Sequence, residues 1–94
     1  MRRFENIVPG VALLKVPFND GSYDTGVILV QCNSHNVLID SGEYAETVHD
    51  CILPALKAAG VDELDWLLCT HNHGDHTGGH KRLSEVYSCP VAVF

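Results

Sequence analysis

The sequence predicts an α+β fold: a mixed, mostly antiparallel sheet with helices on one side. Three observations lead there. Short apolar runs rich in β-branched residues occupy residues 11–18, 27–32 and 37–40, close enough together to pair as antiparallel neighbours. A stretch at 43–59 then repeats its apolar residues at three- and four-residue spacing, as a helix resting on a sheet does. From residue 66 onward a strand, a helix and a strand alternate, which adds further strands through crossover connections.

Residues 11–18 (VALLKVPF) are apolar with one lysine and run into the turn-rich NDGSYDTG, so they read as a first strand followed by a loop. Residues 27–32 (VILVQC) form a second strand, continuous enough in apolar character to be covered on both faces. Asn33, Ser34, His35 and Asn36 make a polar turn, and residues 37–40 (VLID) return as the hairpin partner, ending on the carboxylate of Asp40. Ser41 and Gly42 stop the strand. Between 43 and 59, Ala45, Val48, Ile52, Ala55, Leu56 and Ala59 form the apolar stripe, with Gly60 as C-terminal cap. Pro54 removes one backbone donor inside that helix and predicts a kink or a restart. Residues 61–65 are a short acidic connector, 66–69 (WLLC) a strand, 80–87 a helix and 91–94 the start of another strand.

Composition narrows the class of protein. With 94 residues, the chain fits a single domain spanning 1–94 with one modest core. Hydrophobic residues make up 46% and charged ones 19%, a globular balance, and no apolar run approaches the roughly 20 residues of a membrane helix. The expectation is a soluble protein without a membrane partner. The N-terminal MRRFENIVPG has no apolar segment of a secretion signal, so cytoplasm is the default location. A net charge of −6, with its six basic residues forming no stripe, argues against a nucleic-acid partner. Cys32, Cys51, Cys69 and Cys89 are never spaced as CxxC and sit among apolar neighbours, which suits small buried thiols.

The chemistry is concentrated in Thr70 to Gly79, THNHGDHTGG, where His71, His73, Asp75 and His76 crowd into six positions. Imidazoles and a carboxylate this close suit a divalent cation among them. His71 and His73 are two apart, so in extended chain both rings leave the same side and can converge on one ion. Asp75 and His76 are adjacent and suit a second ion beside the first. Gly74 permits the bend between the pairs, and Gly78 with Gly79 permits close packing as the next helix starts. Two metals about 3.5–4 Å apart can share a hydroxide and polarise the electrophile that it attacks.

This pattern resembles the HxHxDH signature of the metallo-β-lactamase superfamily. LIDSG at 38–42 looks like the family's LIDTG segment, and the helix followed by WLLCTHNHGDHTGG keeps the family's order. The resemblance covers nearly the whole chain but only the N-terminal half of a typical αβ/βα sandwich domain. It implies a hydrolase in which a metal-bound hydroxide attacks an ester, thioester, lactone or lactam carbonyl of a small-molecule substrate. His71 and His73 resemble ligands of the first metal, and Asp75 and His76 ligands of the second. Asp75 is also the catalytic candidate that steers or takes a proton from the attacking water. Asp40 resembles the carboxylate that orients this loop, and Thr70 its supporting hydroxyl. Up to two zinc ions are implied, with iron or manganese as alternatives.

Family members supply a further histidine, a bridging aspartate and a final histidine from the other half. Two ligands per metal are too few for a catalytic zinc, which takes three plus water. The active site is therefore expected to be incomplete in this chain alone. The alternative is a non-catalytic truncated fragment that holds metal weakly or not at all and self-associates. A homo-oligomer, such as a symmetric dimer, is expected to cover the apolar sheet face that the second half would otherwise cover. The remaining candidates have plainer readings: His80 as a solvated histidine at a helix start, His35 and His49 as incidental, and Trp66 as core. Asp62, Glu63 and Asp65 read as a solvated connector.

Overall fold

The computed structural model describes residues 2–18, 23–42, 45–70 and 77–93. Among the described residues, six strands form one sheet in the order β1-β2-β3-β4-β5-β6. They are Glu5–Val8, Val11–Phe18, Tyr23–Cys32, His35–Ile39, Trp66–Cys69 and Val91–Val93. The first three pairings are antiparallel, and those of β4 with β5 and β5 with β6 are parallel. The mixed, mostly antiparallel α+β architecture is thus the one the apolar runs imply.

Several boundaries differ for physical reasons. β1, absent from the sequence reading, is a four-residue edge strand that buries nothing, so it leaves no apolar pattern to find. Pro9-Gly10 turns it onto β2, and Gly10, at φ +83°, passes so close to β3 that a Cβ there would lie 2.7 Å from the Gln31 carbonyl oxygen. β3 begins at Tyr23, inside the stretch read as a loop, because Tyr23, Asp24 and Thr25 pair with Phe18, Pro17 and Val16. The hairpin turn contracts to Asn33 and Ser34, both at positive φ, and His35 and Asn36 join β4.

The helix predicted over 43–59 is broken near Pro54. A short α1 (Ala45–Thr47) leads into a π-type segment, Val48–Ile52, and α2 (Leu53–Ala58) restarts with Pro54 in its first turn. The Leu53 N–H donates to the Val48 carbonyl, a five-residue hydrogen bond that widens the turn just ahead of the proline. Val48, Ile52, Ala55 and Leu56 still face inward, whereas Ala59 is exposed. Gly60 closes the helix at φ +77°. The last helix, α3 (Thr77–Tyr87), starts earlier than the sequence suggested.

One sheet face packs under these helices. Leu14, Val16, Val27, Leu29, Leu38 and Leu67 meet Val48, Ile52, Ala55, Leu56 and Leu83, with Val61 and Leu64 from the connector closing the same core. Side chains of the opposite parity point to the other face. There Leu13, Ile28, Ile39, Leu68 and Ala92 stand side by side across five strands, and Val11, Val30, Val37 and Trp66 form a second row. Trp66 belongs to that outer face and is 47% exposed, so it is not a core residue. Cys32 is exposed and Cys51 half-buried, leaving Cys69 and Cys89 as the buried thiols. The connector is partly tied down as well: the Asp65 carboxylate accepts the Asn36 N–H at 2.7 Å and lies 3.4 Å from His35 Nδ1. No helix among the described residues is long and apolar enough to cross a membrane.

Candidate metal centre

β4 and β5 run parallel and end together, and the residues that follow them form the base of the candidate site. The Asp40 N–H donates to the Leu68 carbonyl at 2.8 Å, so Asp40 is held against β5 even though strand β4 has ended. Its backbone lies at φ 66°, a left-handed conformation that aspartate tolerates better than most residues. From there its carboxylate reaches Thr70. The Thr70 N–H donates to Oδ1 at 3.0 Å, and the Thr70 hydroxyl lies 3.0 Å from Oδ1 and 2.9 Å from Oδ2. The sequence-predicted pair Asp40 and Thr70 is therefore brought into direct contact.

His71, His73, Asp75 and His76 lie outside the described residues. Their two flanks are described, and they bound the site: β5 ends at Cys69 and α3 begins at Thr77. The donors thus belong to a short connection leaving the carboxyl ends of parallel strands, where α/β sheets commonly place ligand sites. Three imidazoles and a carboxylate within that connection suit zinc, iron or manganese by donor type.

The second flank is anchored by a contact that the sequence reading did not anticipate. Ser41, fully buried, shares a 2.8 Å hydrogen bond with Nδ1 of His80 in the first turns of α3. His80 is 6% exposed, which corrects its reading as a solvated histidine. The reason is the glycine before it. A Cβ on Gly79 would stand 2.8 Å from both the carbonyl and the hydroxyl oxygen of Ser41, so only glycine lets α3 approach this closely and carry His80 inward. No local pattern in the sequence announced this contact, because it joins the residue after β4 to the first turn of α3, far apart along the chain. Two successive residues, Asp40 and Ser41, consequently grip the two ends of the motif connection.

This sheet order with helices on one face, and a segment carrying three histidines and an aspartate between β5 and α3, narrow the class to α+β proteins with a candidate metal site at the strand ends. The family model for the metallo-beta-lactamase superfamily matches residues 23–94, and the chain belongs to that superfamily. Among curated proteins, the competence protein ComA of Neisseria gonorrhoeae is 34% identical over 77 residues, covering 76% of this chain and 11% of that protein. An atrochrysone carboxyl ACP thioesterase of Aspergillus fumigatus is 36% identical over 63 residues, covering 67% of this chain and 15% of its own length. Among solved structures, a metallo-beta-lactamase from Pontibacter korlensis superposes with a TM-score of 0.77 at 21% identity, covering 99% of this chain and 43% of that one. The Cronobacter sakazakii metallo-beta-lactamase with a HARLDQ motif gives 0.75 at 21%, covering 95% and 33%. The chain therefore spans less than half the length of these relatives.

Proposed function

We propose that this chain forms the metal-binding N-terminal half of a hydrolase that cleaves an ester, thioester, lactone or lactam carbonyl in a small-molecule substrate. The observation that carries this reading is the double grip of Asp40 on Thr70 and Ser41 on His80, which fixes both ends of the connection bearing the four donors. His71 and His73 would hold one ion, and Asp75 and His76 a second. A bound divalent cation, zinc by default with iron or manganese as alternatives, supplies Lewis acidity and draws the pKa of water towards neutrality. Asp75 holds or passes the proton of the attacking water at its carboxylate. Asp40 would act as a positioning residue that keeps the first end of the connection in place through Thr70. The thioesterase among the relatives favours a thioester within the carbonyl set. The net charge of −6 disfavours a nucleic-acid substrate.

The test combines metal content with turnover. Elemental analysis of the purified chain, alone and joined to a C-terminal half of a relative, is paired with hydrolysis of a generic ester and thioester. Turnover that appears with metal and disappears in His71→Ala and His73→Ala supports the reading. Less than about half an ion per chain with no turnover in either form would overturn it.

A second reading is favoured by the outer sheet face, where two apolar rows run across the strands. In that reading the 94-residue chain is non-catalytic by itself, holds metal weakly and self-associates through this face as a homo-oligomer. Light scattering at micromolar concentration separates the alternatives: a monomer mass argues against self-association.

A further inference from the structure

The geometry points to a separate cation site beneath the motif connection, formed by Asp40, Cys69 and His80 and suited to a zinc-like divalent ion. One donor atom from each residue lies within 4.8 Å of the other two. The three come from different elements, the ends of β4 and β5 and the first turns of α3, so an ion here would bind all three elements at once. None of them belongs to the HxHxDH pattern.

The donor chemistry fits. Thiolate, imidazole and carboxylate form a mixed sulfur, nitrogen and oxygen set that zinc accepts, with water completing a tetrahedron. Donors around a tetrahedral zinc stand about 3.5 Å apart, so from separations of up to 4.8 Å the three groups need to close by up to about 1.3 Å, within the reach of side-chain rotations. Cys69 and His80 are each 6% exposed, which places a soft ligand and an imidazole where bulk water does not compete for the ion. The Ser41 hydroxyl at His80 Nδ1 supplies the orienting partner that metal-binding histidines usually have. If Nδ1 donates to Ser41, the Nε2 lone pair is the one a cation takes. Asp40 can serve this ion while accepting from Thr70, because each carboxylate oxygen has two lone pairs.

Cobalt(II) added to the metal-free chain tests this site directly, because a cobalt–thiolate bond gives a near-ultraviolet charge-transfer band that histidine and carboxylate ligands do not. The expected result is such a band in the wild type, retained in the His71→Ala/His73→Ala double variant and in Cys32→Ser, and lost in Cys69→Ser. Bound cobalt falls by one ion per chain in Cys69→Ser. His80→Gln provides a second route should Cys69→Ser fold poorly, and it is expected to weaken cobalt uptake at this site by at least tenfold. Absence of the band in the wild type, or its persistence in folded Cys69→Ser, would overturn the assignment. Loss of the band in the double variant would assign the cobalt to the motif and equally overturn it. Failure of the hydrolase reading leaves these outcomes unchanged, since none depends on turnover.

Discussion

Substituting Asp40 separates two contributions that the structure places on one residue: its grip on Thr70 and its left-handed backbone at φ 66°. Asp40→Ala removes the carboxylate acceptor for the Thr70 N–H and hydroxyl. Because Thr70 is exposed and its donors can turn to water, each hydrogen bond is worth about 1 kcal/mol and not the upper value for a charged acceptor. Alanine also suffers in the left-handed region by about 1 kcal/mol. The expected loss is about 3 kcal/mol, or about 15 °C in Tm for a chain of this size. Asp40→Gly relieves the backbone strain and is expected to lose about 2 kcal/mol, while Asp40→Asn, which keeps one acceptor and tolerates this conformation, loses about 1 kcal/mol. Urea unfolding of the four proteins under identical metal-free conditions gives the ranking. Asp40→Ala within about 0.5 kcal/mol of wild type, or Asp40→Gly less stable than Asp40→Ala, would refute the reasoning.

Further outcomes follow from neighbouring features. Gly79→Ala drives a methyl to within 2.8 Å of two Ser41 oxygens, so α3 must shift; a destabilisation of about 1–3 kcal/mol by urea unfolding is expected, together with weaker metal retention. Leu56→Ala, at a fully buried position, is expected to cost about 2–5 kcal/mol, and circular dichroism should show a chain close to unfolding at room temperature. The Asn36 N–H, followed by His35, holds the Asp65 carboxyl below its ordinary value of 3.8. A lowered native pKa stabilises the fold above the unfolded value and is lost as pH falls through the native one, so the advantage of wild type over Asp65→Asn should shrink below about pH 4 in pH-dependent thermal melts. Trp66→Glu, on the exposed apolar row, is expected to shift any self-associated species towards monomer by light scattering.

Much of this architecture was legible because period and punctuation agreed. β2 and β5 match their apolar runs end to end, and Pro54 marks the place where the helix is rebuilt. Where local pattern and tertiary pairing parted, the sequence misled. Tyr23, Asp24 and Thr25 look like a turn, yet β2 offers them a ladder. Trp66 reads as core by size, but strand alternation gives the interior to Leu67 and Cys69 and leaves the indole outside. The Asp40–Thr70 contact followed from the family resemblance. The Ser41–His80 contact did not, since nothing along the chain announces that Gly79 will press against a serine 38 positions earlier. The motif histidines were the clearest feature of the sequence and the grip on their flanks the least visible.

The most direct measurement is the zinc content of the dialysed chain and of its His71→Ala and His73→Ala variants, alongside circular dichroism to confirm folding. If the motif connection is a metal site rooted at Asp40 and Ser41, each variant should retain the fold and bind one ion fewer per chain than the wild type. Equal zinc content in the wild type and both folded variants would contradict it.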